Sequence, residues 1–196
     1  MRYPLDLKFK IAAISSQIYV TDTDGNQIFY VKQKLFKLKE NIEIFNDDSK
    51  SQIVYNVKAD RVIEFSPEFT LTDPSSNVLG SVKRHGRKSI WRSTYDIKIG
   101  SQIVLKVSET NPWTKVFDRL IAQIPLLGII SSYMFHPHYA VTDQNGVTLA
   151  SLEKRPAFFE GKYRLDGSSI TNFDEATHRI FSALMMVVVL RERYRG

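Results

Sequence analysis

The chain has 196 residues, a formal net charge of +6, and 43% hydrophobic and 12% aromatic residues. That is enough apolar material for one domain with its own core, and too much for a disordered chain. With no cysteine at all, a disulfide scaffold, Cys-ligated zinc, an iron–sulfur cluster and a cysteine nucleophile are excluded.

Residues 1–10 are polar and lack an apolar run, so they do not read as a secretion signal. From there to about residue 110 the chain reads as strands and turns. Residues 14–21 and 27–34 form a hairpin around Asp24-Gly25-Asn26, where glycine supplies the positive φ of a tight turn. The alternation of 32–34 loses its parity at Leu35-Phe36 and resumes at 37–39, which predicts a bulge or a tight corner. Further strands are predicted at 41–45, 52–58, 61–65, 68–72, 78–83, 90–97 and 102–108. One pattern occurs three times: aromatic or Ile, any residue, aliphatic, Thr, Asp, then a short polar turn. It begins at Ile18, Phe69 and Tyr139 under this reading, with Tyr19, Thr70 and Ala140 as the variable position, and predicts one hairpin type used three times.

Two segments break this rhythm. In 113–135, Val116, Phe117, Leu120, Ile121 and Ile124 make a helical apolar stripe, after which Pro125 and Gly128 interrupt Leu126, Leu127, Ile129 and Ile130. In 173–195, Thr171 or Asn172 can cap a helix whose first turn holds Asp174 and Glu175. Its middle, 180–190, has Ser182 as the sole polar residue, and Arg191, Arg193 and Arg195 follow. A helix apolar on every side is buried on every side. At about 1.5 Å per residue the apolar stretch is only ~16 Å long, short of a bilayer core of about 30 Å. Burial inside protein follows, and the strands are too numerous for a flat sheet, so a barrel or strongly curled sheet around this helix is expected.

The run from Tyr30 to Glu40, followed by Ile42-Glu43-Ile44-Phe45-Asn46, resembles the opening hairpin of LURP-one-related proteins, which belong with the tubby C-terminal-like and phospholipid-scramblase group. The closing run from Ala183 to Arg193 is similar to the terminal helix of bacterial members. The resemblance covers 14–195. It implies a mainly β fold: a closed antiparallel barrel of about twelve strands enclosing the C-terminal helix, as one domain over 1–196. The helical insertion at about 113–135 departs from the minimal pattern of the group. Tubby domains bind phosphoinositides and scramblases act at membranes, so the resemblance implies a non-enzymatic binding module with phospholipid contacts. A protein–protein or regulatory module without lipid binding is the alternative.

Motifs for other chemistry fail on spacing. Gly80 and Gly86-Arg87-Lys88-Ser89 have five residues between the glycines, and Arg87 stands before the lysine, so this is no phosphate loop. Asp22 to Asn26 has its glycine at the fourth position, not the sixth of a calcium loop. His136 and His138 lie two apart and share a strand face, but no third ligand is evident beyond Asp143. His178 reads as a hydrogen-bonded core histidine and His85 as part of a basic turn. No serine sits in a nucleophile elbow. Neither an enzyme, nor a metal, nor a cofactor is expected.

Two features remain. Basic hairpin residues Lys32, Lys34, Lys37 and Lys39, and Lys83, Arg84, Arg87, Lys88 and Arg92, can hold lipid phosphates; the plainer reading is a solvated strand edge guarded by lysine. Trp113, Ile121, Leu126, Leu127 and Ile130 suit a membrane interface or a partner groove, or a helix packed over one barrel mouth. The partners expected are anionic membrane lipid or another protein, with nucleic acid disfavoured, and the location expected is cytoplasmic, at the membrane periphery.

Overall fold

The computed structural model describes residues 1–12, 15–34, 41–60, 67–85, 93–110, 137–156 and 161–193. Among them twelve strands follow one another around a closed antiparallel barrel. They are β1 (Leu5–Ala12), β2 (Ser15–Thr21), β3 (Gln27–Lys34), β4 (Ile42–Phe45), β5 (Ile53–Ala59) and β6 (Glu68–Thr72), then β7 (Val78–Arg84), β8 (Thr94–Ile99), β9 (Ile103–Glu109), β10 (His138–Thr142), β11 (Thr148–Arg155) and β12 (Gly161–Asp166). Each strand pairs with its sequence neighbours, and β1 closes the wall on β12 through Leu5↔Leu165 and Phe9↔Gly161. Closure removes every free strand edge.

Helix α1 (Glu175–Arg193) fills the barrel. Its residues 181–190 are all buried, as an all-round apolar surface requires. The wall supplies the complementary half. Leu5, Leu7 and Phe9 on β1, Ile18 and Val20 on β2, and Tyr95, Ile97 and Ile99 on β8 face inward at every second position. Full burial of each such side chain stabilises the fold by about 1.5–3 kcal/mol. The helix runs closest to β7 and β8. No helix among the described residues is long and apolar enough to cross a membrane.

The helix starts later than the sequence indicates. Neither Thr171 nor Asn172 caps it. The Asp174 carboxylate accepts the Thr177 amide at 2.8 Å, so Asp174 is the cap and Glu175 opens the first turn. Strand β1, Leu5–Ala12, stands where the sequence predicts none. The predicted strand at 61–65 and the predicted corner at 35–36 lie outside the described residues. The strand predicted over 90–97 is present as β8, Thr94–Ile99, with 90–92 outside the described residues.

The threefold hairpin is real. The β2–β3, β6–β7 and β10–β11 turns each begin with an Asp whose amide bonds to the carbonyl four residues on: Asp22 to Asn26, Asp73 to Asn77 and Asp143 to Val147, all at 3.0 Å. The Asp carboxylate then accepts the amide at the same fourth position, at 2.9, 2.8 and 2.8 Å. The left-handed residue is Gly25 (φ 82°), Ser76 (φ 69°) or Gly146 (φ 82°). A bulge precedes each turn, between Val20 and Thr21, Leu71 and Thr72, and Val141 and Thr142. Four strands separate one copy from the next, so the three turns sit a third of the way around the barrel from each other.

Candidate anion-binding rim

Up-and-down topology gives the barrel two unlike ends. The turns 22–26, 46–52, 73–77, 100–102 and 143–147, and the linker into α1, lie at the upper end. The strand ends flanking 13–14, 35–40, 61–66, 86–92, 111–136 and 157–160 lie at the lower end, which also receives the C-terminal turn of α1.

The upper end is acidic. Asp22, Asp24, Asp47, Asp48, Asp73, Asp143, Asp174 and Glu175 stand there against few cations. Hydrogen bonding holds the Asp73 carboxyl below its ordinary range, through the side chain and amide of Asn77. Burial pushes the Asp22 carboxyl up, but the Asn26 side chain and backbone amides outweigh it and hold it low. The N-terminal segment covers the helix start. Tyr3 Oη lies 3.2 Å from His178 Nδ1 and 3.4 Å from Ser182 Oγ, and burial raises the Tyr3 phenol to about 12. His178 also meets the Phe173 ring edge-on. Burial lowers its pKa, so it is held neutral and hydrogen-bonded. A groove of about 290 Å³ between β9, the 143–147 turn and Asn172-Phe173 also lies here.

At the lower end the last helical turn is fixed by a belt of wall aromatics. Tyr95 Oη donates to Glu192 Oε1 at 2.5 Å and Tyr139 Oη to Oε2 at 2.9 Å. The Arg191 guanidinium lies 5.0 Å from the Phe69 ring centre, and that of Arg193 4.8 Å from Phe9. Gly161 makes room for Arg193, since a Cβ there would come within 2.5 Å of its Nη1. Burial raises the Tyr139 phenol strongly, and the charges of Glu192 and Glu109 add to it. Tyr163 rises to about 12 through burial, with Arg193 acting the other way. Glu109, fully buried, accepts the Ser93 amide at 3.4 Å. Two arginines at a helix C-terminus offset its negative dipole end and flank Glu192. Nothing in the sequence reading pointed to this belt; an acid inside an Arg-x-Arg run closing an apolar helix is the signal that could have.

The sequence-derived candidates divide. Lys32 is exposed on the outer face of β3, and Lys34 falls within the same strand. Lys83, exposed on β7, lies 3.8 Å from Glu68. Arg84 ends β7 and is half-buried. Lys37, Lys39, Arg87, Lys88 and Arg92, with Trp113, Ile121, Leu126, Leu127 and Ile130, lie outside the described residues, as does His136. The described strand ends that flank them open at one end of the barrel. His138 faces Glu153 at 3.0 Å and His85 faces Asp96 at 2.7 Å. No group of three His, Asp or Glu that could hold a metal occurs among the described residues.

The LURP-one-related family model matches residues 27–122, from β3 into the connection after β9. A crystal structure of an Arabidopsis thaliana protein superposes with a TM-score of 0.50 at 14% identity, over 100% of this chain and 94% of that one, a likeness of fold alone. No curated protein matches the sequence. A family match that begins in the hairpin first singled out by its residues, and a closed twelve-stranded barrel around a terminal helix, agree: over residues 27–122 the chain belongs to the LURP-one-related family.

Proposed function

We propose that the protein is a non-enzymatic binding module that attaches peripherally to anionic lipid phosphates through the lower end of its barrel, on the cytoplasmic side. The observation that carries this reading is topological. The strand ends flanking the basic segments 35–40 and 86–92 and the apolar segment 111–136 open at the end where Arg191 and Arg193 emerge, while acidic turns crowd the opposite end. Charge of one sign at one end orients a molecule in the field of an anionic surface.

Magnitudes require both features. A lysine or arginine near such a surface is worth about 1 kcal/mol, so four give roughly 4 kcal/mol, a millimolar-class association. An apolar segment entering the interface raises it. The test is sedimentation with vesicles. Binding to phosphatidylserine-containing vesicles is expected to weaken with salt, and neutral vesicles to bind little. Leu126→Ser with Leu127→Ser is expected to weaken binding while leaving the thermal transition in place. Indifference to anionic vesicles at low ionic strength would remove the lipid reading and leave a protein partner as the ligand.

A further inference from the structure

The outer walls of the barrel carry charge in two opposite ways. Across β6, β7, β8 and β9 one ladder of directly opposed residues reads Glu68–Lys83–Asp96–Lys106, alternating in sign at every step. Across β11, β12 and β1 the corresponding ladder reads Arg155–Lys162–Lys8, three cations side by side. Opposed residues on neighbouring strands have Cβ atoms only about 5 Å apart, and like charges there destabilise the sheet. Next to this row stand Lys10 on β1 and Lys32 on β3, both opposite Gln17 of β2.

The acids nearby are already engaged. Asp6 receives Arg164 at 2.9 and 3.3 Å. Glu153 receives Arg155 and His138, each at 3.0 Å. Among the described residues Lys8, Lys10, Lys32 and Lys162 have no carboxylate partner, and Lys10 lies 5.1 Å from the Tyr19 ring centre instead. Four cations on one wall therefore face no carboxylate among the described residues. The wall is the convex face of a barrel, and its row of cations runs down to the lower end, since Arg155 ends β11 and Lys162 is the second residue of β12. Beside this row the next ladder, Glu153–Arg164–Asp6, is internally paired, so the cationic row is what the convex wall offers to an extended phosphate-bearing plane.

We propose that the β11–β12–β1 wall, continued by β3, is the side on which the barrel leans against a phospholipid bilayer, with the Arg155–Lys162–Lys8 row in register with headgroup phosphates. This rests on the lipid reading above and adds the orientation: the domain lies obliquely, with the charge-alternating β6–β9 wall turned away. The full-length chain is tested against phosphatidylserine-containing vesicles. Lys8→Gln with Lys162→Gln is compared with Lys98→Gln and Lys106→Gln, an equal charge loss on the opposite wall. At about fivefold per lysine the first pair is expected to weaken binding roughly 30-fold and to make its salt dependence shallower, with no loss of thermal stability because a like-charge contact is relieved. The second pair is expected to bind within about twofold of wild type on the same scale. If wild type binds and the first pair binds equally well, or both pairs weaken alike, the orientation is overturned while the lipid reading stands. If wild type does not bind, the lipid reading falls and this wall with it.

Discussion

Gly80 on β7 faces Leu184 of α1 across a gap with no room for a methyl group. A Cβ at Gly80 would stand 2.9 Å from Leu184 Cδ1 and 2.5 Å from the Lys98 carbonyl oxygen. The glycine that imitates part of a phosphate loop in the sequence is a point of close approach between the barrel wall and its filling. Gly80→Ala is expected to destabilise the protein by about 1–3 kcal/mol through overpacking, read as a lowered urea midpoint at unchanged slope. Leu184→Ala should not rescue it, because the backbone oxygen stays in place. An unchanged midpoint for Gly80→Ala would contradict the close approach.

Val188 tests burial of the helix. Its side chain is fully buried, so Val188→Asp places an unpaired charge in an apolar interior. Loss of the cooperative thermal transition, or of soluble protein altogether, is expected. Met185→Leu, at an equally buried position, conserves volume and should cost less than about 1.5 kcal/mol.

The aromatic belt sets the helix end. Glu192→Ala leaves the Tyr95 and Tyr139 hydroxyls without their acceptor, at about 1–3 kcal/mol for each buried group. Tyr139→Phe removes one donor to a charged acceptor and is expected to cost about 1.5–3 kcal/mol. A double-mutant cycle between Tyr139→Phe and Glu192→Gln should show coupling; strict additivity would contradict the hydrogen bond.

Acid should weaken the fold through two kinds of group. The folded-state pKa values of Asp73 and Asp174 lie below the ordinary 3.8, through Asn77 and Thr177 respectively. Their contribution is present above the unfolded value and is lost as pH falls through the lower folded value. Burial depresses His178 below 6.5. The unfolded chain then takes up a proton that the fold refuses, so stability also declines as pH drops from about 6.5 toward the folded value. Urea midpoints between pH 2 and 8 should show both limbs, with Asp73→Asn flattening the acid limb and His178→Gln the near-neutral one. A His178→Gln profile matching wild type would exclude the histidine.

Much of the architecture is legible in the residues because its causes are local. Asp24-Gly25-Asn26 specifies a turn by its own backbone chemistry, and the same logic exposes the two later copies. The helix is readable because its apolar surface leaves no face for water. Strand β1 is hard to read although Leu5, Leu7, Phe9 and Ile11 alternate with Asp6, Lys8 and Lys10, because a run of charges reads as polar before it reads as periodic. The helix cap depends on which of several adjacent side chains reaches the Thr177 amide, a choice that composition leaves open. Charge on the outer wall is illegible in principle without register. Lys8 and Lys162 become neighbours only when β1 closes on β12, and Lys83 finds Asp96 only across β7 and β8.

The join between β1 and β12 has a consequence for biogenesis. Domains form progressively from the N-terminus during synthesis, yet here the first strand must wait for the last, and the helix that occupies the interior is made later still. Until then the ribosome-bound chain has a greasy lumen with no occupant and two strands lacking a neighbour. Cutting the chain after Asp166 should therefore yield not a smaller stable barrel but a species that clings to chaperones or precipitates.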